Sequence, residues 1–291
     1  MSGEILHHAV HGAPGSCNHP ESMIMKRSTY MDSSTSLQNA HKRSSAGETG
    51  HVHGRKSRIW RGVAIVLWVI GLVTLITASV LTRNHPGPWP IEVTFSQAVQ
   101  HVHYWPWVIA VLDFVGTFNN PTPTGIILGI LCATMILVGW YMQAAFVALT
   151  VGVGNGLDAL IGNYVLRPRP SPTLVHVDVP LLYNSFPSGH VCHMMVFYGS
   201  LLYLSFTRPV RTWKYHWVLI PFQVFAVLNI LLMGYSRVFE GEHWLGDVLA
   251  GYLSGALWLT LFIFLYQWAT KFVEKRRSKR VGMHRVAINK A

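Results

Sequence analysis

Charge is rationed along this chain in a way that few folds tolerate. The 21 residues between Arg61 and Arg83 contain no Asp, Glu, Lys or Arg; nor do the 44 between Asp113 and Asp158, the 29 between Asp178 and Arg208, the 22 between Lys214 and Arg237, or the 23 between Asp247 and Lys271. About 20 apolar residues cross the hydrocarbon core of a bilayer as a helix. Backbone polar groups in lipid must be satisfied within their own segment, which favours helix over any open sheet. The pattern predicts an all-α fold, a six-transmembrane-helix bundle. The second gap supplies two spans, with a turn near Trp140 to Gln143, and each other gap supplies one. A further 20 uncharged residues between Glu92 and Asp113 include Gln97, Gln100, His101, His103 and Pro106. They read as an interfacial amphipathic segment lying along the bilayer surface.

The positive charges give the orientation. Of 23 Lys and Arg, eight precede the first span, three lie at Arg208, Arg211 and Lys214, and eight follow the last span, from Lys271 to Lys290. By the positive-inside rule these mark the cytoplasmic side, with both termini there. The remaining four, Arg83, Arg167, Arg169 and Arg237, fall on the other side. The net charge of +11 is accounted for by tails suited to an anionic leaflet, and needs no nucleic-acid partner. Residues 1–57, rich in Ser, His, Gly and Thr, are expected to be a disordered cytoplasmic tail, 58–270 the membrane domain, and 271–291 a basic cytoplasmic tail. Seven histidines in the first tail show no recurring metal-ligand spacing, and Cys17, Cys132 and Cys192 suggest no disulfide framework.

Against this apolar background the polar residues gather in three places, each at the end of a predicted span. Ser236 and Arg237 end span five, and His243 and Asp247 open span six. Positions four apart share a helical face, so Asp247 is expected to accept a hydrogen bond from one ring nitrogen of His243 and leave the other free to attack. Ser185 to His190 reads Ser-Phe-Pro-Ser-Gly-His at the start of span four. A helix N-terminus there offers unpaired amides to a phosphate, Gly189 permits close approach, Ser188 adds a donor, and His190 can protonate a leaving oxygen. Arg167-Pro168-Arg169-Pro170 closes span three, where prolines stiffen the exit and guanidinium groups suit phosphate oxygens. Together they point to a membrane enzyme acting on phosphate esters.

These residues resemble the motifs of the type 2 phosphatidic acid phosphatase superfamily, over about residues 59 to 270. The resemblance implies a phosphatase without cofactor or metal. In it His243 is the nucleophile that forms a phosphohistidine, Asp247 its partner, and His190 the acid for the leaving alcohol. Arg169, Arg237, Ser188 and Gly189 hold the phosphate. The substrate would be a phosphate or pyrophosphate monoester, on a phospholipid or isoprenoid lipid, met at the extracytoplasmic face of a cell membrane. The same site becomes a phosphotransferase if a lipid alcohol replaces water. A transporter or binding module on the same fold is the non-catalytic alternative.

One departure stands out. The family's first motif has a Lys seven residues before its last Arg, where this chain has Gly162. Arg167 is the expected replacement, with Asn163 as a weaker donor. A metal hydrolase using His190, His243, Asp247, Glu240 and Glu242 is the rival chemistry, but three arginines would repel a cation and no His-Glu-x-x-His spacing occurs. Asn155 and Asp158, inside span three, are expected to hydrogen-bond a neighbouring helix. Gly162→Lys, which restores the motif cation, is expected to leave phosphate release equal or higher; a collapse of turnover in the folded variant would mean the site is built on different cations.

Overall fold

The computed structural model describes residues 61–208 and 210–288, with side chains through residue 279. The tail expected to be disordered, residues 1–57, and its histidines lie outside the described residues. The elements are α1 (Arg61–Asn84), α2 (Pro90–His101), α3 (Pro106–Phe118), α4 (Pro121–Leu137), α5 (Tyr141–Val165), α6 (Gly189–Ser205), α7 (Ile220–Phe239) and α8 (Leu245–Ile288), with 3-10 turns at Val210–Thr212 and His216–Leu219. No strand occurs among the described residues.

Among the described residues, four stretches are long and apolar enough to cross a membrane: α1, α5, the segment His216–Phe239 containing α7, and Leu245–Lys279 of α8. The pair α3 and α4 makes a fifth if it is one broken span, bent by 62°. α6 has 17 residues, a length of about 26 Å at 1.5 Å per residue, and falls short of that test. It is the most enclosed helix, packed against α5, α7 and α8. Val191, Met194, Val196 and Phe197 of α6 meet Val147 and Val151 of α5, Met233 of α7 and Val248 of α8 in the main core.

The stretch expected to be one interfacial segment is two helices, α2 and α3, separated at Val102–Trp105 where Pro106 begins α3. Within the second apolar gap the chain breaks twice. The turn expected near Trp140 to Gln143 falls slightly earlier, at Val138–Trp140, with Gly139 at φ +80° and Tyr141 already opening α5. The other break, at Asn119 and Asn120, follows from Pro121: proline drives the preceding residue out of the helical region, and Asn120 sits at φ −60°, ψ 155°. Asn119 fastens this bend by donating to Val115 O at 2.7 Å and to Asn229 Oδ1 at 2.9 Å, while Tyr198 donates to it at 3.0 Å.

α5 ends on Leu166, whose φ of 56° is the one positive value at a non-glycine among the described residues. Its amide closes the helix onto Gly162 O at 2.9 Å. The left-handed cap throws the Leu166 side chain outward and turns Arg167 inward, leaving Leu166 61% and Arg167 1% exposed.

Candidate functional site

Three chain ends carry the three polar clusters read from the sequence: the exit of α5, the entry of α6, and the junction of α7 with α8. His243 lies in that junction. Its Nδ1 is 2.7 Å from Ser185 O; a carbonyl only accepts, so Nδ1 carries the hydrogen and Nε2 bears the lone pair. Nε2 is buried and has no hydrogen-bond partner. Asp247 was expected to orient the ring directly, but its Oδ2 is 4.0 Å from Nδ1. It acts one atom further away, accepting from Ser185 Oγ and from the Trp244 amide at 3.0 Å. The Ser185 carbonyl, rather than Asp247, is thus the group that bonds Nδ1 and orients Nε2. Burial, reinforced by the Arg169, His190 and Arg237 charges, holds the His243 pKa well below the ordinary histidine value.

Ser188 and Gly189 sit at the N-terminus of α6, with Ser188 at the N-cap position. A serine there ordinarily bonds the open amides of the first turn. This one makes no such cap bond, and its Oγ is buried without a partner. The Ser188 amide donates to Asp247 O at 2.9 Å, tying the α6 entry to the first turn of α8. That approach depends on small residues in α8. A Cβ on Gly251 would lie 2.6 Å from Ser188 O, and one on Gly255 would lie 2.5 Å from the Met195 Cβ. The sequence carries the signal as Gly251-Tyr-Leu-Ser-Gly255, a small-residue spacing that lets helices approach closely.

The arginines divide into two kinds. Arg237, in the last turn of α7, is 2% exposed and is met by Glu242 Oε2 and Glu240 Oε2 at 2.7 Å each, and by Ser236 Oγ at 3.1 Å. Its Nε is buried and unpartnered. Gly116 of α3 leaves the space it fills, since a Cβ there would collide with Nη2. Arg169 donates to Tyr183 O at 3.2 Å and Glu242 O at 3.0 Å, and faces a cavity. Arg167, expected to replace the missing motif cation, is placed otherwise. Its Nε reaches Pro86 O, its Nη1 reaches Glu92 and Asp247, and its Nη2 reaches Glu92 and Gly87 O. A guanidinium has five N–H groups, and these five contacts use them all. Arg167 is structural in this geometry and has no donor left for a phosphate.

Glu240 and Glu242, weighed from the sequence as metal ligands, thus serve Arg237. His190, Glu242 and His243 do offer three donor atoms within 4.8 Å of one another, the one such group of His, Cys, Asp or Glu among the described residues. The Glu242 carboxylate is already shared by Arg237 and, at 3.7 Å, Arg169, which makes it a poor anchor for a cation.

His190 borders a cavity of about 740 Å³ between α4, α5 and α6, with Asn155, Asp158, Gly162, Arg169 and Phe186 among its walls. His190 Nε2 is 3.3 Å from Asn120 Oδ1, a partner not read from the sequence. Gly162 opens onto the same cavity, where a Cβ would sit 3.3 Å from Phe186 O. The helix-to-helix bonds expected of Asn155 and Asp158 are present, to His193 Nδ1 at 2.8 Å and from Ser254 Oγ at 2.5 Å. His176 and Asp178 form an exposed pair at 2.9 Å, away from these walls.

Residues 127–271 match the family model described as the PAP2 superfamily. Over 98 residues, 34% of this chain, the sequence is 33% identical to an undecaprenyl-diphosphatase of Sulfolobus acidocaldarius. That stretch is 35% of the relative, so the chain spans about a third of the length of the curated protein it matches. Its fold is similar to that of the transmembrane PAP2-type phosphatidylglycerolphosphate phosphatase from Bacillus subtilis, with TM-score 0.56 and 21% identity over 67% of this chain and 95% of the other. The LpxE structure from Aquifex aeolicus gives TM-score 0.47 and 18% identity over 60% and 96%.

The Gly251 contact generates a test. Gly251→Ala places a methyl group against the Ser188 carbonyl, an overpacking that costs about 1–3 kcal/mol and moves the α6 entry. Thermal unfolding in detergent is expected to fall by several degrees and phosphate release to drop; wild-type values for both would mean that α8 does not set the position of Ser188.

Proposed function

Because the chain belongs to the PAP2 superfamily through residues 127–271, we propose that it is an integral membrane phosphatase that hydrolyses a lipid phosphate or pyrophosphate monoester through a phosphohistidine on His243. The observation that carries this is that each of the two junctions, the α6 entry and the α7–α8 turn, holds a buried polar atom without a partner: Oγ of Ser188 in the first, Nε2 of His243 and Nε of Arg237 in the second. A buried polar group left unpaired is expensive, so such atoms, one of them at the N-terminus of α6, are best explained by an anionic ligand that completes them.

The chemistry runs in two displacements. His243 Nε2 attacks phosphorus in line with the ester oxygen; the P–N bond forms, the P–O bond breaks, and the leaving oxygen takes a proton from His190. Water then attacks the phosphohistidine, gives its proton to His190, and displaces His243 Nε2 with the P–O bond of inorganic phosphate. Arg169, Arg237, Ser188, and the amides at Gly189 and His190 stabilise the charge gathered on the equatorial oxygens. Glu240 and Glu242 hold Arg237 in place before substrate arrives. The cavity beside His190 takes the leaving alcohol. A lipid alcohol entering there in place of water would make the reaction a transfer.

We place the site at the extracytoplasmic face of a cell membrane. Arg83, Arg167, Arg169 and Arg237 lie toward the C-terminal ends of α1, α5 and α7, whereas Arg208, Arg211 and Lys214 precede α7 and the basic stretch from Lys271 lies in the C-terminal half of α8. With α6 crossing as a short enclosed helix and α4 continuing α3, the chain makes six crossings with both termini cytoplasmic. An isoprenoid diphosphate or a phospholipid monoester both suit the site.

Phosphate release by the detergent-purified protein from such substrates in EDTA is expected, and His243→Ala should abolish it. Release that EDTA removes would instead favour a metal held by His190, Glu242 and His243. Acidity gives a second test. The attacking imidazole must be neutral, and a lowered pKa means that His243 loses its proton at lower pH, so its nucleophilic form persists as pH falls below about 6.5. The acid limb of kcat/KM, corrected for the substrate's own phosphate ionisation, is expected below that value. A limb at or above it would show that His243 is not held neutral by its surroundings.

A further inference from the structure

The carboxylate of Glu92 lies in α2, outside the segment 127–271 that matches the family, yet it is bound into the centre of the site. It is 5% exposed. One oxygen accepts from Arg167 Nη1 at 3.2 Å and from the Gly246 amide at 3.0 Å; the other accepts from Arg167 Nη2 at 2.5 Å and the Trp89 amide at 2.8 Å. Gly246 is what admits it, since a Cβ there would lie 2.5 Å from Glu92 Oε1. Beyond Arg167 the chain of contacts continues to Asp247 Oδ1 at 2.6 Å, then through Asp247 Oδ2 to Ser185 Oγ, and from the Ser185 carbonyl to His243 Nδ1. Each member of this series is buried.

Resting on the reading of His243 as the attacking group, we infer that Glu92 is a positioning residue for the phosphatase reaction, acting on His243 through Arg167, Asp247 and Ser185. Arg167 bears one positive charge and faces two carboxylates. Without Glu92 it is drawn toward Asp247 alone, and both shift from the line that aims Ser185 and His243. Glu92 also caps α8 through the Gly246 amide, so its loss loosens the helix that carries Asp247. Two further residues of α2 support the same conclusion. Gln97 donates to Leu174 O at 2.9 Å, and Gln100 clasps the backbone of His176 at 2.8 and 2.9 Å and donates to Phe239 O at 3.0 Å. α2 thereby ties the loop after Arg169 to the end of α7, as Glu92 ties Arg167 to the start of α8.

The test uses the full chain in detergent, with short-chain phosphatidic acid as probe and turnover counted per folded protein. Misaiming a reacting group costs rate rather than affinity, and Glu92 touches no substrate. Glu92→Gln is therefore expected to lower kcat by roughly ten- to hundredfold with KM within about twofold. The rate of phosphohistidine formation in a single turnover should fall by the same factor. Glu92→Asp keeps the charge and should recover part of the rate; it also carries the test if the glutamine variant does not fold. An unchanged kcat with a lowered melting temperature would make Glu92 a helix cap only, and a loss confined to KM would make it a binding group; either result overturns the inference. If wild-type hydrolysis itself does not depend on His243, the proposed function fails and this inference with it, a result distinct from intact His243-dependent turnover in Glu92→Gln.

Discussion

Two arginines buried among carboxylates are the constraint on which the site depends. An ion taken from water into a protein interior is tolerated only when its partners are close and well aimed, and removing one partner of such a pair costs about 3–5 kcal/mol. Arg167 lies between Glu92 and Asp247, and Arg237 between Glu240 and Glu242. These four carboxylates come from α2, from α8 and from the junction between α7 and α8, so satisfying the two guanidiniums fixes where those elements stand. His243 lies between the two clusters and inherits its position from both.

The same arrangement explains how a site rich in arginine avoids repelling itself before substrate arrives. Three guanidiniums are balanced by four carboxylates, and only Arg169 faces the cavity. Among the buried atoms left unsatisfied are a lone pair on His243, a hydroxyl on Ser188 and one N–H on Arg237. The helix N-terminus of α6 adds open amides in the same region. Phosphate would meet a few aimed groups rather than a bare positive surface, and Glu240 and Glu242 would yield part of Arg237's attention as it binds. Gly162 belongs to this arrangement: where the family motif has a cation, this chain has open cavity wall, with Arg167 fully engaged elsewhere and Asn163 the neighbouring side chain on that wall.

Helix packing supplies the precision that charge alone does not. Gly251 and Gly255 let α8 lie against α6 closely enough for the Ser188 amide to bond Asp247 O, and Gly116 lets α3 back onto Arg237. These contacts are unforgiving because backbone and charged groups, rather than flexible side-chain ends, stand on the far side. They also make the family segment dependent on helices before it, since α2 and α3 precede residue 127.

Much of this was legible without coordinates. Charge-free gaps implied helices, and α1, α5, α7 and α8 occupy the gaps that predicted them; the three motifs were recognisable because phosphate chemistry needs histidine, arginine and an open helix start at set spacings. The turn read near Trp140 to Gln143 begins slightly earlier, around Gly139, and the Gly251-x-x-x-Gly255 stripe, though present in the sequence, takes its meaning only from the contact of α8 with α6. Other features were not legible, because they are pairings between distant positions. Glu92 and Arg167 are 75 residues apart, and His243 and Ser185 are 58 apart. A sequence shows that an arginine can bind phosphate or pair with a carboxylate, but the choice depends on which oxygen lies nearest. The sequence by itself determined the helical class, the motif residues and the absence of the motif lysine, since these follow from composition and spacing along one chain. Only the tertiary structure decided that Arg167 is engaged by Glu92 and Asp247, that the Ser185 carbonyl rather than Asp247 bonds His243 Nδ1, and that α2 reaches Arg167, because close distance between buried charges is a property of packing.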